Sequence, residues 1–287
     1  MLAIYKKELR VAFGGMFGWA ICALLLFFYG LFTVLYHLLA GYTDFSFVYA
    51  SMHVVLAVLI PFLTMRSIAE ERHTRTDRLL YSLPVKMHRI VIGKFLAMLT
   101  VFALPTAVAG LYPVLLSFFG DVSLLSAAAS WVGFVLLGGA LIAVCTFVSS
   151  LVENQILAAV LSLAATLLLY FADTLAGLLP TSATACFFIC VVLGLLIGAG
   201  LCWISRRLLI GAGVACVLCI GSAVVYLIRA SLFEGLIGRA VAAVAVFARY
   251  SGFVDGYFDL SAAVLYVSLI GLFLFLTHVS MEKRRLM

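Results

Sequence analysis

Eight long runs without Asp, Glu, Lys or Arg constrain the fold of this chain more than any other feature of its sequence. Each run has 19 residues or more, about the length that a helix needs to cross roughly 30 Å of bilayer hydrocarbon. The runs are Val11–Thr43, Phe45–Met65, Phe95–Gly120, Val122–Val152, Asn154–Ala172, Thr174–Ser205, Leu208–Ile228 and Leu260–Met281. The sequence therefore predicts an all-α polytopic membrane protein with eight transmembrane helices.

The overall composition excludes a soluble globular domain. The 287 residues are 66% hydrophobic and 10% charged, whereas soluble domains carry about 25% charged residues. The net charge of +6 lies in short loops between apolar runs and not on a folded, soluble basic face. Nucleic-acid binding is therefore not expected, and the surrounding partner is the lipid bilayer.

The distribution of basic residues predicts which side each loop occupies. With the N-terminus in the cytosol, 15 of the 18 Lys and Arg residues fall on the cytosolic side, as the positive-inside rule requires. Only Arg229, Arg239 and Arg249 fall outside. Both termini are therefore predicted to be cytosolic. The charges between 229 and 259 predict an outer interfacial segment that does not span.

The first residues have the pattern of an amphipathic surface helix. Leu2, Tyr5 and Leu9 recur at helical spacing, while Lys6 and Arg10 fall on another side. Such a helix lies along a membrane surface with its cations near anionic headgroups. We therefore expect residues 1–15 to form an amphipathic N-terminal helix on the inner leaflet.

The sequence contains no recognisable catalytic, metal or nucleotide site. No span carries an Asp, Glu, Lys or Arg well inside the hydrocarbon. There is no H-E-x-x-H, G-x-S-x-G or G-x-x-x-x-G-K-[ST] motif, so neither zinc nor ATP phosphates are expected to bind here. Cys216 and Cys219 form a C-x-x-C, but no His, Asp or Glu stands beside them to complete a metal site. We interpret the chain as a non-catalytic protein without a cofactor of its own.

The loop at 66–94 holds seven of the 18 basic residues and lies between two of the apolar runs. Thr76 is placed to cap a short helix, Leu79 and Leu80 give that helix an apolar face, and Pro84 ends it. A short helix with an exposed Leu-Leu face is suited to a hydrophobic groove on a partner. The alternative is a solvated loop held by weak ion pairs within the helix.

Three charged residues precede this short helix at the end of the second span. They are Glu70, Glu71 and Arg72. Their position favours pairing with charges of the same partner.

The loop also resembles part of a known family. The pattern Glu-Glu-Arg-x-x-x-Thr-Asp-x-Leu-Leu-x-Ser-Leu-Pro-Val from Glu70 to Val85, followed by Gly-Lys-Phe-Leu-Ala, resembles the loop between the second and third spans of type-2 ABC exporter permeases. Tyr5–Arg10 resembles the elbow helix of that family, and Ser149–Gln155 resembles its junction between spans four and five. The stretch from Gly256 to Thr277 is similar to the gliding-motility-type branch.

The resemblance implies a bacterial plasma membrane, partners and a coupling role. It implies that the loop docks on separate ATPase subunits, which bind ATP and Mg²⁺, and that a second permease copy or a related permease completes the transporter. The residues that would carry the movement of the ATPase are Glu70, Glu71, Arg72, Thr76, Leu79, Leu80 and Pro84. The family usually has six spans, so residues 174–228 are two additional ones.

We therefore expect the membrane subunit of an ATP-driven exporter. An ATP-independent porter or channel, and a membrane scaffold for a surface complex, are the alternatives. A P-loop ATPase encoded beside this chain would favour the first function. Transport by the purified protein together with its ATPase would separate it from a scaffold.

Overall fold

The computed structural model describes residues 2–74, 87–205, 208–228 and 233–285, and all regular secondary structure in these ranges is helical. The helices are α1 Leu2–Gly14, α2 Met16–Thr33 (extended by a π-helix, Val34–Leu39), α3 Ser46–Thr64, α4 Ala69–His73, α5 Met87–Ala109, α6 Tyr112–Leu116, α7 Leu124–Leu151, α8 Gln155–Leu178, α9 Ala183–Ser205, α10 Leu208–Ile228, α11 Leu236–Val244, a 3₁₀ turn Ala248–Tyr250, α12 Ser251–Val254 and α13 Leu260–Arg285.

Six segments among the described residues are long and apolar enough to cross a membrane. They are Met16–Leu39, Ser46–His73, Met87–Leu116, Leu124–Leu151, Gln155–Leu178 and Leu260–Arg285. These helices support a multi-pass membrane protein, as the apolar runs predict. α9 and α10 contain 23 and 21 residues without Asp, Glu, Lys or Arg, but they are not among these six segments. The count of eight spans and the side of each terminus therefore stay predictions.

One predicted helix boundary is wrong. The charge at Asp173 suggested a break between two spans, but α8 continues through it to Leu178, and the next helix begins at Ala183. The chain breaks at Pro180 instead, because proline removes a backbone donor and disfavours helical geometry in the residue before it. A single carboxylate near the end of an apolar helix does not interrupt the helix.

The described residues form two compact units, Met1–Tyr170 with Val246–Met287, and Phe171–Ala245. In the second unit α9 and α10 pack against each other. The ring of Phe187 stacks on Tyr226 with their centroids 4.8 Å apart, and Phe233 packs edge-on against both rings. This aromatic group holds the second unit together at one end of its helix pair.

The first unit is organised around α7, which packs against α3, α5 and α13. Membrane helices associate without a hydrophobic driving force between them, so their contacts depend on close packing. Small residues allow neighbouring side chains to approach closely. A Cβ atom at Gly138 would lie 2.3 Å from a ring carbon of Phe102, and one at Gly133 would lie 2.6 Å from Phe253. These glycines set how closely α5 and the Ser251–Val254 helix approach α7.

The N-terminal helix is present as expected. α1 ends at Gly14 and α2 begins at Met16, which agrees with the bend that the two adjacent glycines allow. The indole N–H of Trp19 donates to the Phe13 carbonyl at 3.0 Å and so satisfies a backbone acceptor at the end of α1. That α1 lies on a membrane surface stays a prediction.

Candidate functional site

A buried group of charges joins α1, α4 and α5 at one end of the first unit. Lys94, two turns into α5, has a side chain that is 0% exposed. Its ammonium nitrogen lies 3.0 Å from Glu8 Oε1 and 2.9 Å from Glu71 Oε2, and it donates to the Ser67 carbonyl at 2.7 Å. An ammonium has three N–H donors, so these three acceptors match its whole donor capacity.

A second lysine completes the group. Lys7 Nζ lies 2.9 Å from the other oxygen of Glu71 and 3.7 Å from Glu8 Oε1. Partial burial alone would lower the pKa of Lys7, but the hydrogen bond and negative charge of Glu71 outweigh it, and the pKa is raised above its usual value. The four residues Lys7, Glu8, Glu71 and Lys94, here called the Lys94 cluster, therefore balance two positive charges against two negative ones.

Local sequence patterns bring these charges together. Tyr5, Glu8 and Ala12 fall on one face of α1, and Val91, Lys94 and Met98 fall on one face of α5. The two helices pack along these faces, and the Tyr5 and Thr100 hydroxyls form a hydrogen bond of 3.0 Å further along the contact. Each helix thus carries one charge of opposite sign within its buried stripe.

The end of α7 makes a second set of contacts, with α4. The Ala69 N–H donates to Ser149 Oγ at 3.2 Å. The Arg72 guanidinium donates to the Ser150 carbonyl. Arginine commonly satisfies the last carbonyls of a helix in this way. As a result α4, which lies immediately before residues 75–86, is fixed to α7 as well as to the Lys94 cluster.

The end of α13 binds the same end of α7. The Arg284 guanidinium donates to the Leu151 carbonyl at 3.0 Å and to Glu153 Oε1 at 3.1 Å, and the Ser280 hydroxyl donates to the Ser150 carbonyl at 3.4 Å. The Ser150 carbonyl thus accepts hydrogen bonds from both α4 and α13. Four helices, α1, α4, α5 and α13, are thereby connected through this end of the unit.

The structure describes three of the seven predicted coupling residues. The Glu70 side chain is 47% exposed and lies 3.8 Å from Arg66. Glu71 and Arg72, which we expected to pair with a partner's charges, instead contact Lys94, Lys7 and the Ser150 carbonyl of their own chain. Thr76, Leu79, Leu80 and Pro84 lie outside the described residues. The coupling role of all seven stays a prediction.

The sequence analysis missed Glu8 and counted Lys94 among the seven basic residues of the loop at 66–94 without predicting an ion partner for it. A signal was available, because each charge falls within the apolar stripe of its helix and the two signs are opposite. Across the described ranges, no group of three or more His, Cys, Asp or Glu side chains is placed to hold a metal ion. Among the described residues, the site consists of ion pairs and hydrogen bonds between helices.

No protein-family model matches the chain, and no curated protein is significantly similar to it. Its function has to be inferred from its own residues and their geometry.

Proposed function

We propose that this chain is the membrane-spanning permease subunit of an ABC exporter and couples ATP hydrolysis by a separate subunit to substrate movement. The observation that supports this most is the anchoring of both helices that flank residues 75–86. On one side α4 is fixed through Glu71 and Arg72, and on the other side α5 is fixed through Lys94. A force applied to the segment between them would therefore reach the helix bundle on both sides.

Burial of the charges makes this connection stiff. Breaking a buried ion pair by removing one partner costs about 3–5 kcal/mol, so moderate displacements of the segment move the attached helices and leave the ion pairs intact. Packed elements of this kind change by rigid-body shifts and not by gradual deformation. In this mechanism α1, α4 and α5 respond together when the ATPase moves.

The proposal assigns ATP and Mg²⁺ to the partner ATPase, because this sequence has no P-loop. Two ATPase subunits and a second permease copy or related permease complete the exporter, with the substrate path along the interface between permeases. The Lys94 cluster and both termini face the cytosol of a bacterial cell, since this places most Lys and Arg residues inside.

The decisive experiment changes the predicted docking face. Leu79→Asp combined with Leu80→Asp should abolish co-purification of the ATPase while the chain still inserts in the membrane, because a charged face no longer fits an apolar groove. Leu124→Asp combined with Leu125→Asp, an exposed Leu-Leu pair at the beginning of α7, is the matched control and should retain the ATPase.

Two outcomes would contradict the proposal. One is a double variant that still binds its ATPase and transports normally. The other is transport by reconstituted vesicles that contain this chain without any ATPase, which would identify an ATP-independent porter or channel.

A further inference from the structure

A groove of about 430 Å³ runs between the last two turns of α7 and the last turns of α13. It has apolar walls at one end and cations at the other. Its main lining residues are Phe147, Leu151, Leu276, Val279, Lys283 and Arg284. The volume is in the range of sites that enclose small apolar ligands.

The apolar part of the groove is continuous with a hydrophobic outer surface. Leu151 and Val279 are exposed at its edge, and Phe275 is exposed one turn before Val279 on the same helix. A surface of this kind on a membrane-spanning helix faces lipid chains. The mouth of the groove is therefore open to the hydrocarbon of the bilayer.

The polar part lies where α13 ends. Its last turn carries Lys283, Arg284 and Arg285, and cations at the end of a membrane helix lie at the level of the lipid headgroups. Arg284 is held by the Leu151 carbonyl and by Glu153, while Lys283 is exposed beside it. The neighbouring Glu282 lies 3.2 Å from His278.

The charge balance at this end favours an anion. The last turn of α13 and Glu153 together carry three cations, Lys283, Arg284 and Arg285, and two carboxylates, Glu153 and Glu282, so these residues give the rim a net positive charge. We propose that the groove binds one anionic glycerophospholipid from the bilayer, with an acyl chain along Phe147, Leu276 and Val279 and its phosphate beside Lys283. Basic grooves between membrane helices recognise anionic headgroups in this way. The inference requires only that the chain lies in a membrane and does not depend on an ATPase partner.

Lipid binding to the purified full-length chain in detergent tests the proposal. Native mass spectrometry would compare phosphatidylglycerol with phosphatidylcholine of the same acyl composition. The wild type should retain phosphatidylglycerol about fivefold more strongly than phosphatidylcholine, because one basic residue near an anionic headgroup contributes about a fivefold preference. Lys283→Gln should remove that preference. Arg239→Gln, which removes an exposed cation from α11, is the charge-matched control and should have no effect.

A second pair of variants tests the apolar part. Val279→Trp fills the groove and should lower retention of both lipids, whereas Leu272→Trp, at an exposed position on α13, should not. Equal binding of the two lipids by the wild type, or unchanged binding by Lys283→Gln, would overturn the proposal. So would a dimer that Val279→Trp dissociates while lipid retention stays constant, because the groove would then be an interface between two copies.

Discussion

The two ends of the first unit are held together by different chemistry. At one end the Lys94 cluster joins three helices through the buried ion pairs that Lys94 forms with Glu8 at 3.0 Å and with Glu71 at 2.9 Å. At the other end, the Tyr250 hydroxyl donates to the Ser130 carbonyl and the Ser130 hydroxyl donates to the Phe253 carbonyl, both at 2.8 Å. Ser130 and Ser149 mark these ends on α7 and, at 1.5 Å per residue, lie about 28 Å apart.

The difference suggests how each end responds to force. A buried ion cluster concentrates its stabilisation in a few contacts, and loss of one charge leaves others uncompensated. The Tyr250 end distributes its stabilisation over neutral hydrogen bonds and close side-chain packing, each of which contributes about 1 kcal/mol. Under the proposed function, the first arrangement suits an end that receives a movement and the second suits an end that adjusts to it.

The largest effect is expected from Lys94→Met. The change removes the ammonium that lies 3.0 Å from Glu8 and 2.9 Å from Glu71, so we expect a loss of about 3 kcal/mol in the free energy of unfolding, at the lower end of the range for a broken buried pair. Denaturant unfolding of the detergent-purified chain measures it. Lys6→Met, on the exposed side of α1, should stay within about 0.5 kcal/mol.

A neutral version of the cluster sharpens this test. Adding Glu8→Gln and Glu71→Gln to Lys94→Met removes the uncompensated carboxylates and should recover part of the lost stability. If Lys94→Met alone matches the wild type, the cluster does not hold this end together, and the contrast between the two ends fails.

A smaller effect is expected at the opposite end from Gly133→Ala. The new Cβ would lie 2.6 Å from the Phe253 ring, so the ring must move, at a cost of about 1–3 kcal/mol. Gly271→Ala adds the same atom to α13 where nothing lies within 4 Å, and it should be neutral or slightly stabilising. Thermal unfolding of the two variants compares them directly. Equal melting temperatures would show that close packing does not determine this end.

Tyr250→Phe removes one neutral hydrogen bond without changing the packing. The Ser130 carbonyl loses its phenol donor, and the expected loss is about 1 kcal/mol. Tyr257→Phe, at an exposed position, should show no loss in the same unfolding measurement. A loss as large as that of Lys94→Met would mean that the two ends do not differ in the proposed way.

How far the sequence predicts this structure depends on whether a feature is local. Long apolar runs predicted the six candidate spans. Whether a helix is long enough to cross the bilayer depends on that segment alone, so it can be read from the sequence. The end of α8 was misplaced because the proline at 180 outweighs the charge at Asp173 in breaking the helix. Local sequence determines both the candidate spans and the end of α8. The prediction for α8 was wrong because it gave the charge of Asp173 too much weight.

The Lys94 cluster could not be derived in the same way. Glu8 and Lys94 are 86 residues apart, and their pairing depends on the packing of α1 against α5. The apolar faces of α1 and α5 predict that Glu8 and Lys94 are each buried, but they do not predict that the two side chains form an ion pair. The contacts of Arg72 and Arg284 with the end of α7 are equally non-local, so the sequence identified charged residues at this end without showing that they bind one another.

The smallest effect is expected from Glu70→Gln, which removes the one predicted coupling charge that is substantially exposed among those described. Glu70 and Arg66 lie 3.8 Å apart with both side chains 47% exposed, and an exposed ion pair of this kind contributes about 0.3 kcal/mol. High salt screens exposed charges, so it should abolish the difference in unfolding free energy between Glu70→Gln and the wild type. It should barely change the stability that Lys94→Met loses, because the charges of the Lys94 cluster are shielded from water. Unfolding of both variants at low and high salt separates an exposed pair from a buried cluster within the same few residues. A Glu70→Gln effect above about 1 kcal/mol that persists in high salt would place Glu70 in the cluster and extend the charged end of the unit to the surface.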